Sequence, residues 1–168
     1  YNTIIDILRY ERIGIKMSMK DVRKFFKEKE MDVEILTFED TSTVPKAAKS
    51  LGVSHGEIAK TLLFKVKDDY VLIVMAGDTR LNNRKFKNHF KSKAKMAGVD
   101  EVMEITGHPI GGVCPFGLKK SIPIYLDNSL KKYAKVFPAA GSNNSSVEIK
   151  VEELQELTDG EWVDLSEE

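Results

Sequence analysis

The sequence predicts a single α+β domain in which hairpin-connected strands are interrupted irregularly by short helices. Two apolar, partly β-branched runs, Lys60 to Val66 and Tyr70 to Ala76, flank Lys67-Asp68-Asp69 and read as a β-hairpin. Helical periods fall before and after that hairpin without the strict alternation of a βαβ chain. A length of 168 residues with 42% hydrophobic content is enough for one sizeable core. No internal repeat, low-complexity run or linker divides the chain.

The elements follow in order. Residues 1–16 read differently from the rest and are expected to form an extension ahead of a domain spanning 17–168, since Met17 and Met19 stand beside a helix signal. Ser18 followed by Asp21 resembles a capping box, with Val22, Phe25 and Phe26 on one face of a helix running to about Glu30. Val33 to Phe38 alternates as a strand. Thr43 caps a second helix bearing Ala47, Ala48 and Leu51, which Gly52 stops. Ser54 and Glu57 repeat the capping-box pattern just before the hairpin. Asn82 or Asn83 caps a basic helix whose Phe86 and Phe90 lie one turn apart. Asp100 to Thr106 is helical; Ile122 to Leu126, Ala134 to Phe137 and Val147 to Ile149 are strands. Glu152 to Leu157 is a helix and Trp162 to Leu165 a final strand.

The 26 basic and 26 acidic residues balance, but unevenly along the chain. Arg80, Arg84, Lys85, Lys87, Lys91, Lys93 and Lys95 form a basic run without an acid, whereas nine acids lie between Glu148 and Glu168. Screening keeps such effects local, so a basic segment on a neutral protein can still dock a polyanion. The same run also reads as a solvated helix face. One cysteine excludes an internal disulfide, and His55, His89 and His108 lack zinc-ligand spacing, so neither metal nor cofactor is expected. No apolar run has the length of a membrane span and no signal-peptide pattern opens the chain, which points to a soluble cytoplasmic protein.

Functional residues concentrate between Gly107 and Gly117, where four glycines, two prolines, His108 and Cys114 share eleven positions. Glycines let backbone amides approach a ligand, and prolines stiffen the loop around them. A second loop of small polar residues spans Ala139 to Ser146. Lys60 opens the hairpin among apolar neighbours. An ammonium fixed there can hold a phosphate or carboxylate, or polarise an ester carbonyl; it can equally snorkel from a strand edge. The glycines are not followed by Gly-Lys-Ser/Thr and do not form a dinucleotide fingerprint. Asp40, Asp78, Asp127 and Glu148 show no diagnostic carboxylate pairing.

Lys60, the run Gly111-Gly112-Val113-Cys114-Pro115-Phe116-Gly117, and Ala140-Gly141-Ser142 followed by Val147-Glu148-Ile149 together resemble the YbaK/EbsC family. These are free-standing aminoacyl-tRNA deacylases related to the editing domain of bacterial prolyl-tRNA synthetase. The resemblance runs from about Met17 to Leu165. It implies a mixed, mostly antiparallel, barrel-like sheet surrounded by helices, and trans-editing hydrolysis of the ester of mischarged aminoacyl-tRNA. It implies that Lys60 and Gly112 are catalytic, and that Gly111, Val113, Cys114, Pro115, Gly141, Ser142 and Glu148 bind substrate. Arg84, Lys85, Lys87 and Lys91 are expected to bind tRNA. Aminoacyl-tRNA is the implied partner, with an aminoacyl-tRNA synthetase as a second; neither DNA nor a membrane is expected.

Thr61 departs from alanine-specific relatives that carry asparagine after the lysine, and the second loop lacks the Gly-Gly-Lys-Arg-Gly run of cysteine-specific ones, so the edited amino acid stays open. Two alternatives remain at this level: a non-catalytic module that senses an amino acid or aminoacyl-tRNA and regulates a partner, and a thiol-dependent amidohydrolase built on Cys114 and His108. The latter needs proximity, a depressed thiol pKa and an orienting third group.

Overall fold

The computed structural model describes residues 4–167. It opens with helix α1, Ile4–Glu28, which corrects the expected helix start at Ser18. Ser18 and Asp21 lie inside a continuous helix, because the Ile, Arg, Lys and Met around them sustain it and the lone Gly14 costs only about 1 kcal/mol. Ser18 is therefore no cap; it is fully buried and its hydroxyl reaches His108. Val22 and Phe26 are buried on the inward face, and Phe26 stacks on Phe116 at 4.8 Å between ring centroids. Each such side chain contributes about 1.5–3 kcal/mol, so α1 is bolted to the glycine-rich loop.

Strand β1 is only Leu36–Thr37, shorter than the expected Val33–Phe38, because its antiparallel partner Ser145–Ser146 offers two residues. Helix α2, Val44–Leu51, begins at the Thr43 cap and ends on Gly52 at φ 69°, as its sequence signals require. The Ser54–Glu57 reciprocity forms a single 3-10 turn.

Strands β2 (Ile58–Val66) and β3 (Asp69–Ala76) form the hairpin in register Val66↔Asp69 through Ala59↔Ala76. Helix α3, Asn83–Phe90, is capped by Asn82, whose Oδ1 accepts from Arg84 N and Lys85 N at 3.0 Å. Helix α4 is Val99–Thr106, and strands β4 and β5 are Ile124–Asp127 and Lys135–Pro138. Of the strand expected at Val147–Ile149, only Ile149 lies in a strand, and a separate two-residue strand precedes the segment. Ser145–Ser146 (β6) pairs with β1, and Ile149–Lys150 (β7) pairs with β5, with Val147 and Glu148 turning between them. Helix α5 (Val151–Thr158) and strand β8 (Glu161–Val163) close the chain.

The main sheet has the order β7-β5-β2-β3-β4-β8 and curls into a half-barrel. It is mixed: the long β2–β3 ladder and β5–β7 are antiparallel, while β2–β5, β3–β4 and β4–β8 are parallel. Period-two alternation sorts its two faces. Ala59, Val74 and Ala76 face a core completed by Phe116, Leu126 and Leu154. Phe64, Val71 and Ile73 face a second core under Phe86 and Leu165.

One feature of the sheet positions the site. The outer edge of β2 is paired twice, with a gap between. At one end Ile58 and Ala59 pair with Phe137 and Pro138. At the other, Ala97 N donates to Leu63 O at 3.0 Å and Lys65 N to Lys95 O at 2.8 Å. Residues 60–62 lie between these partners.

Candidate active site

A cavity of about 230 Å³ opens at that gap. Its walls are β2 from Ile58 to Leu63, Thr41 to Val44 before and within α2, Met96 and Ala97, the loop residues Ile110, Gly111 and Val113, and Ala139, Ser145 and Ser146. The β1–β6 pairing brings its polar rim together, with Thr41 N donating to Asn143 O at 2.8 Å. Asp40 orders the same corner by accepting from Ser42 N (2.9 Å) and Lys46 Nζ (2.8 Å), contacts that hold its carboxyl well below the usual carboxylate range.

Lys60 is half-buried in the cavity wall, and its Nζ donates to the carbonyl of Thr79 in the loop after β3. Burial lowers its pKa from the ordinary lysine value; Asp78 opposes this shift and Arg80 reinforces it. The ammonium has three donors, so the Thr79 bond fixes its direction without exhausting it. Thr61, next along β2, has a buried hydroxyl without a hydrogen-bond partner, the one such side-chain atom among the described residues.

The glycine-rich loop is held by backbone contacts. Gly141 N donates to Gly112 O at 3.1 Å, and a Cβ on Gly112 would stand 2.6 Å from Ser142 N. Gly112 thus joins the two loops back to back, while Gly111, at φ 85°, forms the cavity wall beside Ser42. Ser142 is buried in the second loop, its Oγ 2.7 Å from Asn144 Oδ1 and 2.6 Å from Ser145 Oγ.

Behind the loop, the residues of a thiol mechanism do meet: Cys114 Sγ lies 3.6 Å from His108 Nε2. The chemistry does not follow. Both side chains are fully buried, and burial pushes the thiol up to about 12, outweighing stabilising bonds from Phe116 and Gly141. A thiolate nucleophile needs the opposite shift and access to solvent. His108 is engaged at both nitrogens, with Phe116 O 2.7 Å from Nε2 and Ser18 Oγ 2.5 Å from Nδ1. A carbonyl only accepts, so Nε2 carries the proton and Nδ1 takes the Ser18 hydroxyl. The cluster ties α1 to the loop.

Among the expected site residues, the structure therefore gathers Lys60, Gly111 and Val113 on the cavity and places Gly112, Gly141 and Ser142 directly behind it. Cys114 lies in the core, and Pro115 faces a separate groove shared with Asp21 and Lys24. Glu148 is exposed and ion-paired with Lys135 at 2.8 Å, outside the cavity lining. In α3, Phe86 is buried and stacks on Phe90 at 4.6 Å, leaving Arg84, Lys87 and Lys91 exposed. Lys85 is committed to Asp164 and Ser166 O, both at 2.9 Å. The basic run leads along Lys95 to Met96 at the cavity rim. Ser145 and Ser146 belong to the second loop of small polar residues noted in the sequence, whereas Thr41 and Ser42 were not singled out; the small-polar run 41–43 just before a helix was their one local signal.

Residues 39–157 match the family model described as the aminoacyl-tRNA editing domain. The chain belongs to that family. It is 46% identical over 152 residues to the uncharacterized protein YwhH of Bacillus subtilis (strain 168), covering 89% of this chain and 97% of that one. Similarity at 32% identity extends to proline–tRNA ligase of Thermosipho melanesiensis, where 83% of this chain matches 25% of the ligase. A solved structure described as a candidate trans-editing enzyme for prolyl tRNA synthetase superposes with a TM-score of 0.84 at 29% identity, over 90% of this chain and 98% of that one. Members of the editing-domain family thus occur both at about this length and as part of a much longer synthetase. Among the described residues, no helix is long and apolar enough to cross a membrane.

Proposed function

We propose that this protein hydrolyses, in trans, the ester joining an incorrect amino acid to the terminal ribose of tRNA. The observation that carries this reading is the convergence of Lys60 and Gly111 on one small, partly closed cavity within an aminoacyl-tRNA editing domain. Lys60, aimed by Thr79, supplies a charge-assisted donor to the phosphate or ester carbonyl of the aminoacyl-adenosine end. Gly111 and Val113 border the acyl group, while Gly112, Gly141 and Ser142 set the position of that border. Catalysis rests on positioning and electrostatics, with water as the nucleophile, since the buried Cys114 does not supply one. Arg84, Lys87 and Lys91 contribute sequence-independent phosphate contacts along the route to the rim.

The deciding experiment is incubation with a panel of labelled mischarged tRNAs. Catalytic release of one or a few amino acids supports the proposal and reads out specificity. Binding without turnover across the panel would instead establish a non-catalytic sensor built on the same cavity.

A further inference from the structure

We propose that the interrupted edge of β2 binds the aminoacyl group itself as a one-residue antiparallel strand on Thr61, an inference that rests on the tRNA-editing reading for its substrate. In this arrangement the ester carbonyl accepts from the Thr61 N–H, and the α-amino group donates to the Thr61 carbonyl.

The strand register places those two groups. Val66 and Asp69 close the hairpin across a two-residue turn, so they exchange both backbone bonds. Pairing alternates from there, and Phe64, Leu62 and Lys60 direct their main-chain polar groups at β3. The odd-numbered residues direct theirs outward, which the bonds at Leu63 O and Lys65 N demonstrate. Outward pairing on the other side ends at Ala59↔Pro138. Thr61 is the odd-numbered residue in between, and its N–H and C=O face the cavity. Thr61 lines that space, and its hydroxyl is buried and unpartnered.

An aminoacyl ester carries N, Cα and C=O in the order and spacing of a strand residue. It can therefore exchange two hydrogen bonds with Thr61 as any directly opposed, hydrogen-bonded pair does. Placing the scissile carbonyl on a fixed N–H also polarises it toward attack. Directly opposed residues put their side chains on one face of a sheet. An L side chain accordingly lies on the face of Thr61, Ala59 and Leu63, against Val113, whereas a D side chain is turned to the Lys60 face.

The test uses the full chain, ¹⁵N-labelled, with two stable probes: 3′-deoxy-3′-(L-alanylamido)adenosine and its D-alanyl counterpart. The L probe should slow hydrogen exchange of the residue-61 amide by at least about tenfold, and the D probe should bind about tenfold or more weakly, the worth of one lost hydrogen bond. Thr61→Val, which removes the hydroxyl but keeps the main chain, should retain the protection. Binding of the L probe with an unchanged residue-61 amide, equal affinity for both enantiomers, or no binding of either at millimolar concentration would overturn the inference. Protection without ester hydrolysis on the tRNA panel keeps this site and removes the hydrolase reading. Hydrolysis with an unprotected Thr61 does the reverse.

Discussion

Replacing Gly112 by alanine places one methyl group where the two loops touch. Its Cβ would lie 2.6 Å from Ser142 N and 2.7 Å from Ser142 Cα and C, against the 3.4 Å or more of an ordinary contact. All three are backbone atoms, so no rotamer change relieves the overlap. The loops must separate, which also weakens the 3.1 Å bond from Gly141 N to Gly112 O. Overpacking of this kind costs about 1–3 kcal/mol, and a weakened backbone hydrogen bond adds up to about 1 kcal/mol. For a domain of this size each kcal/mol lowers Tm by about 2–4 °C, so Gly112→Ala should melt roughly 2–16 °C below wild type. Thermal unfolding by circular dichroism measures this, and ester hydrolysis well below the lower Tm measures the functional part. Turnover should also fall, because Ser142 moves with the loop that contributes Ser145 to the cavity. An unchanged Tm would refute the back-to-back arrangement of the loops. A lowered Tm with full turnover would remove Gly112 from any role in shaping the cavity.

Lys60→Ala should fold and lose about 1.5–3 kcal/mol of transition-state stabilisation, roughly tenfold to a hundredfold in kcat/KM, with wild-type turnover by the folded variant excluding Lys60 from the site. Cys114→Ala should keep ester hydrolysis, and native Cys114 should react with iodoacetamide far more slowly than in the unfolded chain, because burial pushes its thiol up to about 12; fast native alkylation would contradict this. Burial holds His108 below its ordinary pKa, more than Phe116 O and Asp21 raise it. The unfolded chain then binds the proton more readily, so stability is complete above about pH 6.5 and declines as pH falls below it, by at most about 1.4 kcal/mol per pH unit. Denaturant titrations between pH 7.5 and 5 check this, and His108→Gln should flatten the decline. Charge reversal at Lys87 and Lys91 should weaken tRNA binding and reduce its salt slope by about 0.7 per lost contact, leaving hydrolysis of a minimal aminoacyl-adenosine ester unchanged. An equal loss on both substrates would assign these lysines to the pocket or the fold.

Local signals carried much of the fold. The Thr43 cap with Gly52, the Ser54–Glu57 reciprocity, the Asn82 cap and the 60–76 hairpin all act over a few residues, and each stands where its chemistry requires. The misplaced elements are those decided at long range. Ser18 has the chemistry of a cap, but its hydroxyl is claimed by His108, ninety residues away, and the helix passes through it. Val147–Ile149 has the composition of one strand, yet only Ile149 pairs in the main sheet, with β5, while the preceding Ser145–Ser146 pairs with β1.

The site divides along the same line. Lys60 and Gly111 stand out by residue type, and they do share a cavity. Cys114 stands out equally, but it is buried in a core to which Val22, Phe26 and Leu126 converge from elsewhere in the chain, which no local pattern announces. Thr61 is the converse case. In a partly β-branched run it shows by type only its departure from the asparagine of alanine-specific relatives, and the gap beside it is visible only in which residues fail to pair. A gap in a sheet edge is made by partners: β5 leaves β2 after Ala59, and residues 95–97 meet it again only at Leu63. The small cavity of this domain is therefore a product of strand register, with the conspicuous lysine and glycines arranged around an opening that the sheet itself leaves.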